Sequence, residues 1–262
     1  MKTILDFYKM KTEKKKISMV TSYDYWSANL LNETEIDCLL VGDSLAQVMH
    51  GHPSTVHADT ELMALHTRAV ARGAPDKFIV ADMPFLSVRK GLISAMESVD
   101  QLMKAGASSV KVEGIAGHED IVKNIVESGV PVMGHLGLTP QSVHQLGGYK
   151  VQGKDKETAD FIFQSALKLQ ELGCFSLVLE CVPTQLATDI TNALQIPVIG
   201  IGAGPYTDGQ VLVFHDLLGL TSGHKPKFLK TFSEGRDLFK GSLEQFDLEV
   251  KENIFPSTEE SY

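Results

Sequence analysis

Cysteine is scarce: three among 262 residues, at Cys38, Cys174 and Cys181, with no CxxC pair. An odd number without close spacing argues against a disulfide framework and suits a reducing compartment. Long apolar runs are also missing. No stretch reaches the ~18 apolar residues of a membrane span, and the first residues lack an apolar secretion core. The expectation is therefore no signal peptide, no membrane partner and a cytoplasmic location. The NET triplet at 32–34 then has no meaning as a glycosylation site. Positive charge is in deficit, with 24 Lys and Arg against 33 Asp and Glu, a net charge of −9. That argues against nucleic acid as a partner. The basic stretch KMKTEKKK at 9–16 is short and reads as a solvated surface element.

Low-complexity tracts are absent, and 43% apolar with 22% charged residues is an ordinary globular composition. The length is normal for one α/β barrel of ~250 residues, and a core of that size needs no disulfide or structural metal. Residues 1–262 are thus read as a single barrel domain with N-terminal and C-terminal helical extensions. Short β-branched runs recur along it: ISMVTSY (17–23), CLLVGDS (38–44), KFIVADM (77–83), SVKVEG (109–114), PVMGHLG (131–137), SLVLEC (176–181), PVIGIG (197–202) and QVLVFHD (210–216). They mostly do not alternate, as expected of strands buried on both faces. Segments between them, such as 94–107 and 155–174, have helical periodicity. The second opens on Asp155, an N-cap residue type, and reaches Gly173, a C-cap signal. Eight strand–helix alternations predict a (β/α)8 barrel of the α/β class. An internal echo agrees: LMKAGASSVKVEG (102–114) resembles KLQELGCFSLVLEC (168–181), which sets Glu113 and Glu180 at matching strand ends.

Active sites of such barrels lie at the C-terminal strand ends. Here those ends carry Asp43, Asp82, Glu113, His135 and Glu180. Residues two apart share a strand face. Asp43 would share one with Val41 and Leu39, Asp82 with Val80, His135 with Met133, and Glu180 with Val178. Lys111 shares a face with Glu113, and a buried lysine needs a partner. One acid after a strand is ordinarily a helix cap or a turn former. Four acids at one mouth would crowd, and such crowding is tolerated when a cation sits among them. All-oxygen ligation favours a hard ion, Mg²⁺ above Zn²⁺, and Mg²⁺ takes few carboxylates. The surplus acid is then free to act as a base.

Other signals are discounted. GIGAG (200–204) lacks the third spaced glycine of a dinucleotide fingerprint, and tight packing is its default reading. HGH (50–52) with His57 and His66 fits no standard zinc spacing. The Gly-rich segment 134–153 is a long connection, and long connections in compact domains are often functional.

VGDSL (41–45), HTRAVARGAP (66–75), VKVEG (110–114), PVMGHLGLTPQSV (131–143), GGYKVQG (147–153), LVLECVP (177–183), IPVIGIGAG (196–204) and DGQVLVFHD (208–216) are long, ordered and unusual. Together they resemble the ketopantoate (3-methyl-2-oxobutanoate) hydroxymethyltransferase family, from about Thr21 to Lys230. Ala46 stands where the family pattern has glycine and Thr207 where it has cysteine, so only local loop shape is affected. The resemblance implies a TIM barrel of the phosphoenolpyruvate/pyruvate type. It implies hydroxymethyl transfer from 5,10-methylenetetrahydrofolate, a co-substrate, to 3-methyl-2-oxobutanoate, giving 2-dehydropantoate for pantothenate and coenzyme A synthesis. It implies one Mg²⁺ per subunit, held at Asp43, Asp82 and Glu113. Ser44, Asp82 and Lys111 would meet the keto acid, with Asp43 and His135 in the same shell, and Glu180 would be the base. It also implies a cytosolic homo-oligomer, a decamer.

The residue chemistry is compatible. A metal chelated by the carboxylate and the 2-oxo group stabilises an enolate. Lys111 adds positive charge where the enolate oxygen develops. Glu180 on its apolar strand takes the C3 proton. Two other readings share these residues: a metal-dependent barrel working on C–C or C–P bonds of small keto acids without folate, and an idle binding scaffold. No motif marks a pterin site.

Overall fold

The computed structural model describes residues 1–223 and 225–262. The chain divides into two compact units, Met1–Leu212 and Val213–Tyr262. The first opens with α1 (Ile4–Thr12) and β1 (Ile17–Thr21), followed by α2 (Tyr25–Asn32), β2 (Cys38–Val41), α3 (Leu45–Val48) and α4 (Thr60–Gly73). Then come β3 (Phe78–Asp82), α5 (Leu92–Lys104), β4 (Ser109–Glu113), α6 (Glu119–Glu127), β5 (Val132–Gly137) and α7 (Val143–Leu146). It closes with α8 (Lys156–Glu171), β6 (Ser176–Glu180), α9 (Thr184–Ala193), β7 (Val198–Ile201) and β8 (Gly209–Leu212). The strands pair in chain order, all parallel, and β8 returns to β1, so the sheet is a closed eight-stranded barrel. Closure leaves no sheet edge unpaired.

The barrel interior is apolar. Ile17, Met19, Cys38, Leu40, Phe78, Val80, Met133, Val178, Ile199 and Val211 form one buried cluster. Phe7 of α1 joins it, its ring 5.2 Å from Phe78 and 6.3 Å from Phe175. A three-ring plug of this kind buries well over a hundred Å² per ring. The basic stretch at 9–16 is less solvated than its composition suggests. Lys11 pairs with Asp208 at 2.6 Å, and Lys16 donates to the Thr207 carbonyl.

Local signals act where the sequence puts them. Asp155 caps α8 by accepting from the Thr158 N–H at 2.9 Å, and Gly173 ends that helix at φ +90°. The GIGAG glycines serve packing, since a Cβ on Gly200 would lie 2.8 Å from the Thr207 hydroxyl. The stretch 210–216, read as one strand, is divided. β8 stops at Leu212, and α10 (Phe214–Leu217) begins the second unit, with the Leu217 and Leu218 N–H groups bonding back to Val213 and Phe214. A continuous apolar run hides such a switch, because strand and helix both accept Val, Leu and Phe. The second unit also holds α11 (Gly235–Lys251), whose Leu238, Phe239, Leu243 and Phe246 are exposed. All three cysteines are free thiols. Among the described residues no helix is long and apolar enough to cross a membrane.

Candidate active site

The charged residues gather at the C-terminal ends of β2 to β6. Asp82 is the last residue of β3, Glu113 of β4 and Glu180 of β6, while Lys111 and His135 lie within β4 and β5. Period-two alternation carries the inward face from Val80 to Asp82, from Met133 to His135 and from Val178 to Glu180, as the strand pattern requires. Asp43 arrives by a different route. The inward residues of β2 are Cys38 and Leu40, not Leu39 and Val41. The strand stops at Val41, and a turn in which the Leu45 and Ala46 N–H groups bond to Gly42 and Asp43 delivers the carboxylate. The expected face-sharing of Asp43 with Val41 and Leu39 is therefore corrected: the pleat ends before Asp43.

Lys111 Nζ lies 2.8 Å from Asp82 Oδ1, and both side chains are only 4% exposed. The other Asp82 oxygen accepts from the Asp43 N–H at 3.0 Å. Lys111 Nζ is also 3.2 Å from His135 Nδ1. His135 stands between two carboxylates, with Nδ1 3.3 Å from Glu113 Oε1 and Nε2 3.2 Å from Glu180 Oε2. Lys111 thus finds its partner in Asp82, across the β3–β4 pair, while Glu113 faces His135. Glu180 is less enclosed than its apolar strand suggests, with 18% of its side chain exposed. Ser44 Oγ is 2.7 Å from the hydroxyl of Tyr23, which is itself buried.

Burial and the neighbouring Asp82 and Glu113 hold the Asp43 carboxyl well above its usual range. Burial also raises Asp82, against the pull of Lys111. Burial works against a charged Lys111, but Asp82, Glu113 and Asp43 outweigh it and hold the ammonium above the ordinary lysine range. Burial pushes Glu113 up, yet hydrogen bonding and charge from His135, with Lys111, bring it below its usual value. His135 is opposed by burial and Lys111, but Glu113 and Glu180 raise it to about 9, so the ring is an imidazolium at neutral pH.

Crowded, buried, oxygen-only donors fit a hard cation better than bare repulsion. Asp43, Asp82 and Glu113 are the candidate donors. Both oxygens of the last two already have partners: Asp82 meets Lys111 and the Asp43 N–H, while Glu113 Oε1 faces His135 and its Oε2 accepts from the Gln141 N–H at 3.0 Å. Among the described residues no three His, Cys, Asp or Glu side chains converge as a preformed metal cage. Mg²⁺ does not need one, since it is commonly held by one or two carboxylates plus water and substrate.

The loop histidines stand apart from these acids in their contacts. His50 Nε2 is 2.9 Å from His66 Nε2, and His52 stacks on His57 with centroids 4.6 Å apart. A groove of about 460 Å³ lies at the other end of the strands, lined by Met1, Ile4, Phe78 and Ala107. It lacks the paired acids and bases that chemistry of this kind requires, so the strand-end cluster remains the candidate site.

Three participants escape a sequence reading. Gln141 donates from its side-chain amide to Asp43 Oδ2 at 2.8 Å and to the Met83 carbonyl at 2.9 Å. Tyr23 backs Ser44. Gly137, at φ +92°, lets β5 pass Glu180, where a Cβ would sit 2.2 Å from the Glu180 carbonyl oxygen. Only the unusual length of the 134–153 segment signalled that something in it contributes.

A family model described as ketopantoate hydroxymethyltransferase matches residues 1–258. A protein of Bdellovibrio bacteriovorus named 3-methyl-2-oxobutanoate hydroxymethyltransferase is 58% identical over 262 residues, covering all of both chains. One of the same name from Coxiella burnetii is 54% identical over 255 residues, 97% of this chain and 96% of its own. Another, from Legionella pneumophila, is 51% identical over 260 residues, 99% of each. Among solved structures, phosphonopyruvate hydrolase in complex with oxalate and Mg²⁺ superposes with a TM-score of 0.65 at 10% identity, covering 99% of this chain and 93% of that one. A 2,3-dimethylmalate lyase of the PEP mutase/isocitrate lyase superfamily gives 0.62 at 14% identity, covering 100% and 93%. Those structures share the fold, while the sequence relatives carry the assignment: the chain belongs to the ketopantoate hydroxymethyltransferase family.

Proposed function

We propose that this enzyme transfers a hydroxymethyl group from 5,10-methylenetetrahydrofolate to 3-methyl-2-oxobutanoate through an enolate, with Mg²⁺ as the cation. The observation that carries the reading is the line of charge Asp82, Lys111, Glu113, His135 and Glu180 across four adjacent strand ends, with Asp43 beside it. Asp43, Asp82 and Glu113 would hold the cation. The ion would supply Lewis-acid polarisation of the 2-oxo group. Lys111 is buried and charged, so it stabilises negative charge developing on the keto oxygen without reorganising. Ser44 Oγ, fixed by Tyr23, offers a hydroxyl to the substrate carboxylate. Glu180 removes the C3 proton. His135 orients Glu180 through Nε2 and stays protonated beside it.

The relatives' shared name supports the product, 2-dehydropantoate, and the resemblance supports a cytosolic homodecamer. The exposed apolar row on α11 supports burial of that face against another surface. The test isolates the first step. Deuterium exchange at C3 of 3-methyl-2-oxobutanoate needs the base and the cation but no folate. Wild type with Mg²⁺ should catalyse it. Glu180→Gln should lose roughly 10²–10⁴-fold, the usual worth of a positioned base. Exchange at the wild-type rate in that variant assigns the proton to another group. Product formation without methylenetetrahydrofolate overturns the folate assignment.

A further inference from the structure

Gln141 gives three hydrogen bonds to the mouth of the barrel, and they reach three different strand ends. Its backbone N–H donates to Glu113 at the end of β4. Its side-chain amide donates to Asp43, just past β2, and to the carbonyl of Met83, just past β3. The amide orientation is fixed by chemistry. Both partners are acceptors, so a flipped amide would set its own oxygen against a carboxylate and a carbonyl.

We propose that Gln141 is a positioning residue that fixes the Asp43 carboxylate for cation binding through one oxygen and ties the 138–152 connection to the acid cluster. This rests on the cation reading above. With Oδ2 held by Gln141, Asp43 presents its other oxygen to an ion. Partners of this kind orient metal-binding carboxylates, and their loss usually weakens metal affinity. Asp43 is buried, and without the Gln141 donor its Oδ2 loses the hydrogen bond that holds the carboxylate in its present orientation.

The connection itself explains why the tie falls here. Its ends are pinned beside the proposed base. The Leu138 N–H bonds to the Glu180 carbonyl at 2.8 Å, and the Gln152 N–H to the Cys181 carbonyl at 2.8 Å. Between these anchors, a 3-10 turn over Pro140–Ser142 aims Gln141 at the acids, and Gly147 and Gly148, at φ +68° and +108°, turn the chain back. One residue near the start of the connection thus contacts two acids of the cluster.

Mn²⁺ serves as the probe, since its free and bound forms separate by electron paramagnetic resonance. Wild type, Gln141→Ala and Gln141→Glu are titrated with Mn²⁺, and amide hydrogen exchange of 138–152 is followed without metal. The second variant keeps the volume but removes the donor, which covers a local collapse in the first. Expected is a loss of Mn²⁺ affinity of roughly 10–100-fold in Gln141→Ala. Exchange in 138–152 should be faster in both variants, and turnover of Gln141→Ala should recover at high Mg²⁺. Such recovery separates a positioning role from a catalytic one. Mn²⁺ affinity equal to or tighter than wild type in Gln141→Ala, with 138–152 protected as before, overturns the inference. Failure of wild type to bind Mn²⁺ is a different result, which overturns the cation reading and this inference with it.

Discussion

Replacing Lys111 by Met tests the electrostatic core of the site. The ammonium is buried, 2.8 Å from an equally buried Asp82 carboxylate. Methionine keeps most of the volume and removes the charge. Breaking a buried pair from one side costs about 3–5 kcal/mol, because the remaining charge is uncompensated. Lys111 pulls the Asp82 pKa down against its burial, so its loss moves that carboxyl further up. The folded variant then binds a proton at higher pH than the unfolded chain does. Over that range linkage makes stability fall as pH rises relative to wild type, by at most about 1.4 kcal/mol per pH unit. The gap between the two proteins should therefore widen with pH. Urea denaturation of both proteins at several pH values, in chelator so that no cation intervenes, reads this directly. Turnover should fall with it, since the enolate loses its fixed counter-charge. No loss of stability at any pH refutes the ionised buried pair, a loss independent of pH refutes proton uptake by Asp82, and unchanged keto-acid binding and turnover leave Lys111 a structural partner only.

Asp43→Ala should abolish Mg²⁺-dependent turnover yet leave metal-free stability equal or higher, because it removes a carboxyl already disfavoured by burial and by Asp82; full activity at limiting Mg²⁺ sinks the ligand assignment. Tyr23→Phe leaves the Ser44 hydroxyl without its 2.7 Å partner, which should cost about 1–3 kcal/mol and raise KM for the keto acid; a thermal melt and steady-state kinetics check both. His135 is raised to about 9 from 6.5, so its stabilisation is fully present below pH 6.5 and is lost as pH rises through 9. His135→Gln should therefore differ most from wild type near pH 6 and little at pH 10 in metal-free denaturation, and a gap that grows with pH contradicts the charged ring.

Strand-end chemistry was legible wherever the pleat runs unbroken to its end. Asp82, Glu113, His135 and Glu180 follow inward residues at spacing two, so a reader who finds Val80, Met133 and Val178 finds the strand-end cluster. Chain order sets Asp43 at the end of β2, but period-two counting gives it the wrong face, because the strand ends in a turn that such counting cannot register. The partner of Lys111 was hidden for a related reason. Same-strand spacing offers only Glu113, which alone does not account for a buried lysine, whereas the barrel register sets Asp82 opposite Lys111. Gln141 was beyond reach altogether. Its donors matter only once a 3-10 turn has folded back over the mouth, and an isolated glutamine in a loop gives no signal of that. The end of β8 was blurred because an apolar run suits both of the structures it adopts.

The arrangement also separates two tasks that the same residue type could confuse. Along the strand ends the charges alternate, from Asp82 through Lys111, Glu113 and His135 to Glu180. Each carboxylate therefore meets a cation before it meets another carboxylate. Asp43 is the exception, and its nearest charged influences include Asp82 and Glu113. That asymmetry makes the Asp43 side of the mouth the place where added positive charge stabilises the protein most. Glu180 is at the opposite end, screened from the crowded acids by an imidazolium. A cation bound near Asp43 and Asp82 would then leave Glu180 free to accept a proton. On the proposed reading two chemically similar acids would take different roles because of their neighbours, with the His135 ring set between Glu113 and Glu180.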